Sequence, residues 1–379
     1  MFEQRRAACE QRVRAALRAV GAAVSFCLVP VSAQAEPSVA IVPLGFQVEA
    51  FRGPDAYLSK ILPTSDLIGR DKPAGVDRFV TVWGPAGGAA LFLQNGEIKT
   101  LAWPPSEAMP PLTEAPRGAL PGSRMQTAGP LTVYLSEPRT DYRHGVLGNS
   151  VEAGRVTLSE RQPLSGYQAS ARPVPVQTDQ VEAGPDAVFE DREPRLADLD
   201  RDGTPEVLVV KSYRDKGSAL AVIGRRAGEW AILAEMPPIG EPMRWLNPAG
   251  VADFDDDGKT DIALVRTPHR DGVLQLWTWD GGALRLKHEK AGYANHAFGS
   301  AALDLAAAVD LDGDGRPELV IPTLDRASLA ILSFRGGIKE LQRIPLPARA
   351  LTGVAALGTG KAAHILVGLE DGRIADVRP

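Results

Sequence analysis

Short apolar runs, bounded by acidic or glycine-rich turns, recur through the second half of the chain. Val207-Leu208-Val209-Val210, Ile262-Ala263-Leu264-Val265 and Leu319-Val320-Ile321 are too short and too rich in β-branched residues for helices, and they read as buried strands. A hairpin follows each run. Its arms are 219–223 and 230–233 around Gly228, then 273–279 and 284–286 around Gly281-Gly282, then 329–334 and 338–341 around Gly336-Gly337. With the arm that precedes each apolar run, this makes four strands in about 55 residues, the amount of structure in one propeller blade.

The rhythm continues with weaker copies. Val354 to Val367 reads as another such unit, with strand Ile365-Leu366-Val367 and a turn at Asp371-Gly372. Upstream, residues 91–101 form a hairpin about Asn95-Gly96, a further candidate surrounds Gly154, and a first strand is expected at 39–42. The expected fold is therefore all-β: a β-propeller of about seven four-stranded blades, with six or eight also open, in a single domain over 36–379. Residues 104–130 contain seven prolines and little periodicity, and are expected to form an inserted loop. Composition agrees: 38 Gly and 31 Pro among 379 residues suit many turns and argue against a helical bundle or coiled coil.

Each apolar run is preceded by an acidic loop of the form D-x-D-x-D-G-x-x-[D/E]. The loops are 198–206, 253–261 and 310–318, and the first aspartates lie 55 and 57 residues apart. Carboxylates at positions 1, 3, 5 and 9 of a curled loop can converge on one hard cation. Glycine at position 6 permits the curl, and a carbonyl at position 7 can complete the shell. An EF-hand would need a carboxylate at position 12 and flanking helices. Position 12 is Val209, Leu264 and Ile321, so the loops belong to strand hairpins instead.

These loops and the strands behind them, clearest over 190–340, resemble the FG-GAP/VCBS repeats of integrin-α-like β-propellers. The third unit, Phe298-Gly299-Ser300 followed by Asp310-Leu311-Asp312-Gly313-Asp314-Gly315-Arg316-Pro317-Glu318, also has the FG pair. The resemblance implies Ca²⁺ in each loop. The ligand sets are then Asp198, Asp200, Asp202 and Glu206 with the Thr204 carbonyl; Asp253, Asp255, Asp257 and Asp261 with the Lys259 carbonyl; and Asp310, Asp312, Asp314 and Glu318 with the Arg316 carbonyl. It further implies an interaction module whose calcium is structural. A carbohydrate-binding propeller is the alternative reading, and a propeller enzyme a more distant one.

Residues 1–35 read as a secretory signal: five arginines, a small apolar stretch, then Ala33-Gln34-Ala35 before Glu36. Cleavage would remove both cysteines, Cys9 and Cys27, so the mature chain is expected to be periplasmic or secreted and free of disulfides. The formal charge of −5 gives no footprint for nucleic acid, and no later segment is apolar for the ~18 residues a membrane span needs. A monomer is expected, meeting an unidentified protein or cell-surface or glycan partner. The five histidines follow no metal or catalytic spacing, and no nucleophile elbow or phosphate loop is present, so no catalytic residue is assigned. Trp245, Trp277 and Trp279 are candidates for sugar stacking, although packing between blades explains the last two more simply.

Overall fold

The computed structural model describes residues 36–61, 75–103, 115–163 and 174–379. The expected signal segment lies outside these residues, as do 104–114 of the proline-rich insertion. Apart from the short helix Tyr57–Ile61 and one 3-10 turn, Gly360–Ala362, the regular structure described is all strand.

Four sheets contain four antiparallel strands each. Sheet 1 comprises Ala50–Arg52, Val80–Gly84, Gly87–Gln94 and Glu97–Trp103; sheet 4 comprises Leu246–Ala252, Asp261–Arg266, Val273–Asp280 and Ala283–Ala291. Sheet 5 comprises Ala307–Val309, Glu318–Pro322, Ser328–Ser333 and Lys339–Pro345. Sheet 6 comprises Ala350–Leu357, His364–Leu369 and Ile374–Arg378, completed by Ser38–Ile41. A nine-stranded sheet divides by its pairing into two more meanders. Sheet 2 is Gln126–Ala128, Leu131–Arg139, Glu152–Arg161 and Val176–Glu182, and sheet 3 is Arg195–Ala197, Glu206–Tyr213, Gly217–Arg226 and Glu229–Glu235. The ninth strand, Ala187–Phe189, pairs along 211–213 and meets sheet 2 through the single pair Phe189–Ala153.

The described residues thus hold six four-stranded units, against an expected count of about seven. The difference lies in the first strand. Ser38–Ile41 starts no unit of its own: Ser38 pairs with Arg378 and Ile41 with Ala375, so it forms the outer edge of the last sheet and joins the two ends of the propeller. The proline-rich stretch also differs from a plain loop over its described part. Leu120 is buried, and Gln126–Ala128 is the first strand of sheet 2.

A cavity of about 570 Å³ is lined by Gly53, Ala128, Ala197, Gly250, Ala307 and Ala355, one residue from each of the six sheets. Each lies on or beside its sheet's first strand. Six sheets presenting their first strands to one cavity make a β-propeller, and small residues predominate there because the inner strands crowd toward the axis.

Strand periodicity explains the core. In Glu206–Tyr213, Val207 and Val209 join the cluster shared with sheet 2, while Leu208 and Val210 join that shared with Ile262 and Leu264 of sheet 4. Alternate side chains face opposite neighbours, so an inner strand is apolar on both faces, and each such burial contributes ~1.5–3 kcal/mol. Similar clusters join sheets 4 and 5, 5 and 6, and 6 and 1. The last contact is close enough that a Cβ on Gly353 would lie 2.2 Å from the Phe51 ring.

Candidate metal centres

The three acidic loops connect the first strand to the second in sheets 3, 4 and 5, and they share one backbone conformation. Position 4 has positive φ in each (Arg201 63°, Asp256 66°, Gly313 82°), and so has the glycine at position 6 (Gly203 90°, Gly258 83°, Gly315 85°). Two left-handed residues separated by one turn the chain back on itself, which glycine accepts without strain. Position 2 points the other way, into the core. Leu199 packs in the sheet 3–sheet 4 cluster, and the Phe254 ring lies 5.0 Å from Phe334 of sheet 5. The apolar residue between the first two aspartates thus anchors its loop to the neighbouring sheet.

Backbone amides hold the carboxylates in matching places. The position-6 N–H donates to the first aspartate in each loop, at 2.9 Å to Asp198, 3.1 Å to Asp253 and 2.8 Å to Asp310. The position-7 N–H of Thr204, Lys259 and Arg316 donates to Asp202, Asp257 and Asp314 at 2.7, 2.9 and 3.0 Å. The position-2 N–H of Leu199, Phe254 and Leu311 donates to Glu206, Asp261 and Glu318 at 2.9, 3.3 and 2.9 Å. The ninth-position carboxylate opens the second strand and is buried in all three loops.

Positions 1, 3 and 9 come together. Asp198, Asp200 and Glu206 each offer an oxygen within 4.8 Å of the others, as do Asp253, Asp255 and Asp261, and Asp310, Asp312 and Glu318. Each group could hold a metal ion, and an all-oxygen donor set suits a hard cation. In the second loop, Oδ1 of Asp253 and of Asp255 are buried without a hydrogen-bond partner, as donors awaiting a cation would be. Position 5 lies outside these groups. Asp314 pairs with Arg335, and Asp257 with Lys287 at 2.8 Å. The position-7 side chains also turn to neighbours: Lys259 pairs with Asp280 at 2.9 Å and Arg316 with Asp256 at 2.6 Å. Arg201 meets Asp253 at 3.5 Å, so ion pairs join the first loop to the second and the second to the third.

Electrostatics follow from the crowding. Burial, reinforced by neighbouring aspartates, pushes Glu206 and Glu318 above the ordinary carboxylate range. Asp261 is likewise raised by burial and by Asp255. Lys287 is affected oppositely: burial works against its charge, but its hydrogen bonds to Asp255 and Asp257 and the charge of Asp261 outweigh that and raise its pKa.

A family model described as an FG-GAP-like repeat matches residues 198–264 and again 253–321. Each match begins on the first aspartate of a loop and ends in the second strand of the next sheet. Human integrin alpha-7 is 28% identical over 152 residues, covering 36% of this chain and 12% of the integrin. Residues 198–321 of this β-propeller thus carry FG-GAP-like repeats, and part of the chain is similar to an integrin α subunit. It spans about an eighth of that relative's length. Among solved structures, AofleA from Arthrobotrys oligospora is 10% identical with a TM-score of 0.42, covering 91% of this chain and 86% of that one. The N-terminal domain of Nup159 is 12% identical with a TM-score of 0.39, covering 80% and 75%.

At the end of the propeller away from the acidic loops, the structure assembles residues that the sequence left scattered. In an antiparallel meander, second-to-third-strand turns and sheet-to-sheet connections share that end. His144 and His269 lie in such turns, and His296 and Phe298 lie in the connection from sheet 4 to sheet 5. The exposed Phe298 ring stands edge-on to His144 and His269, at 6.1 and 5.4 Å. His269 and His296 are hydrogen-bonded at 2.7 Å, and His144 bonds Glu190 at 2.8 Å. No spacing rule would have linked residues contributed by three sheets. The three tryptophans are buried: Trp245 donates to the Glu190 carbonyl at 2.9 Å, and Trp277 and Trp279 pack between sheets 3 and 4. They offer no stacking surface. Among the described residues no helix is long and apolar enough to cross a membrane.

Proposed function

We propose that this protein is an exported calcium-binding β-propeller that serves as a protein- or surface-interaction module, with Ca²⁺ as a structural clamp on sheets 3 to 5. The observation that carries this reading is the repetition of one loop conformation three times, each time with three carboxylate oxygens within 4.8 Å. Donors drawn from a single nine-residue loop hold an ion locally, which suits stabilisation rather than a reaction. Calcium is the ion favoured by an all-oxygen set, and export rests on the signal-like residues 1–35. The integrin relative supports an interaction role over an enzymatic one. The burial of all three candidate tryptophans weighs against the carbohydrate-binding alternative.

Melting of the chelator-treated mature chain tests the clamp. With Kd values of ~10⁻⁴–10⁻³ M, about 5 mM Ca²⁺ should add roughly 1–2 kcal/mol per occupied loop and raise the melting temperature by several degrees. An unchanged transition would overturn the structural role of calcium. A glycan array probed with the same chain decides between a protein and a sugar partner.

A further inference from the structure

The pairing of third and fourth strands in sheets 3, 4 and 5 is interrupted once in each, at the same place. Ile223 pairs with Ile232 and Val222 with Ala234, leaving Leu233 unpaired. Trp277 pairs with Leu286 and Leu276 with His288, leaving Lys287. Leu332 pairs with Glu340 and Ile331 with Gln342, leaving Leu341. The register relative to the acidic loop is also conserved within the chain, because Ile223, Trp277 and Leu332 pair with Val207, Ile262 and Leu319, each one residue beyond a ninth-position carboxylate. Leu233, Lys287 and Leu341 are therefore structural equivalents. A bulge re-aims its side chain; in sheet 3 it brings Leu233 beside the loop, where a Cβ on Gly224 would lie 2.6 Å from Leu233 and 3.2 Å from Glu206, while Leu341 of sheet 5 is exposed.

Only the middle sheet carries a cation at this position. The Lys287 ammonium lies 2.5 Å from Asp255, 2.8 Å from Asp257 and 3.2 Å from Asp261, and its side chain is 18% exposed. A lysine on an outer strand would ordinarily extend into water and guard the sheet edge. This one instead turns inward among three carboxylates, two of which belong to the candidate metal group. A divalent ion held by Asp255 and Asp261 would lie within a few ångströms of that ammonium, and two cations at such a separation repel strongly.

We propose that Lys287 is a tethered competitor for the second loop, docking in place of the metal and making 253–261 the weakest calcium site of the three. The inference rests on the calcium reading of the loops. In sheet 4 a cation thus reaches two members of the metal group itself, whereas in sheet 5 Arg335 pairs with Asp314, which lies outside that loop's group. Calcium enters the second loop only by displacing the lysine, whose docked population raises the apparent Kd.

Calcium titration calorimetry on the intact mature chain tests this. Asp198→Asn/Asp310→Asn disables the outer two loops and isolates the second. In that background Lys287→Leu, which installs the residue its equivalents carry, should tighten calcium binding by about tenfold or more. Lys287→Arg should leave binding weak, and Lys287→Met serves if the leucine variant does not fold. Unmodified chain should show two tighter ions and one weaker. Three equal ions, or a second loop indifferent to Lys287→Leu and Lys287→Met, overturns the competition while leaving the calcium reading intact. No calcium at any loop in any variant overturns both.

Discussion

His296 shows how hydrogen-bond geometry sets a pH response at the scale of one residue. Its Nε2 lies 2.9 Å from the Ser300 carbonyl, which can only accept, so His296 donates there and accepts through Nδ1 from His269 Nε2–H. The ring is buried against Trp245 at 4.7 Å. Burial, then the neighbouring His269, lowers its pKa to about 3. An unfolded histidine takes up its proton near pH 6.5, whereas the folded one resists protonation down to about 3. Stability is therefore lost as pH falls through that window, at up to about 1.4 kcal/mol per pH unit from this group. Urea unfolding in saturating calcium should show a lower midpoint at pH 5 than at pH 7, and His296→Gln should flatten that part of the dependence. Identical pH profiles for the two proteins would remove His296 from the account. The metal-loop residues were more legible than this histidine. Carboxylate spacing within nine residues pointed to positions 1, 3, 5 and 9, and local chain geometry brings 1, 3 and 9 of these together. The intrusion of Lys287 was not legible, since it depends on a bulge in a strand some thirty residues away.

Among the elements, the pairs that cross the whole chain bear the greatest consequence. Ser38–Ile41 completes sheet 6 against Ile374–Arg378, whose Ala375 and Val377 are fully buried. Starting the chain at Val42 would strip that edge of its hydrogen bonds and cover. The expected result is a markedly lower melting temperature and self-association through the open edge, read by calorimetry and size-exclusion chromatography. A truncated chain that melts like the full one and stays monomeric would contradict the closure. This element also explains the difference in blade count. Hairpins join residues close in sequence, so their rhythm was readable, and the turns at Gly96, Gly228, Gly282, Gly337 and Gly372 fall in five different sheets. A strand that pairs across more than 330 residues carries no local mark of its partner. The inner edge of sheet 3 is similarly cryptic. Ala187–Phe189 and Arg195–Ala197 share it, separated by the charged run 190–194. That run is held inside by its pairs: Asp191 accepts from Arg195 at 2.9 Å and from the Val210 amide at 3.1 Å, and Arg192 reaches Glu152 at 3.4 Å.

For the molecule as a whole, apolar clusters join sheets 2 to 6 in succession and sheet 6 to sheet 1, and the acidic loops add polar ties at one end of sheets 3 to 5. The loops bring like charges together over that end, with Glu206, Asp261 and Glu318 buried beneath them. Without a counter-ion this region should be the part of the propeller most ready to open, and with calcium among the most protected. Hydrogen exchange on residues 36–379, with and without calcium, measures this directly. Added calcium is expected to slow exchange across 198–212 and 310–322, with a smaller change across 253–266, where Lys287 already lies among the carboxylates. Exchange in these segments that is the same in chelator and in millimolar calcium would contradict the account.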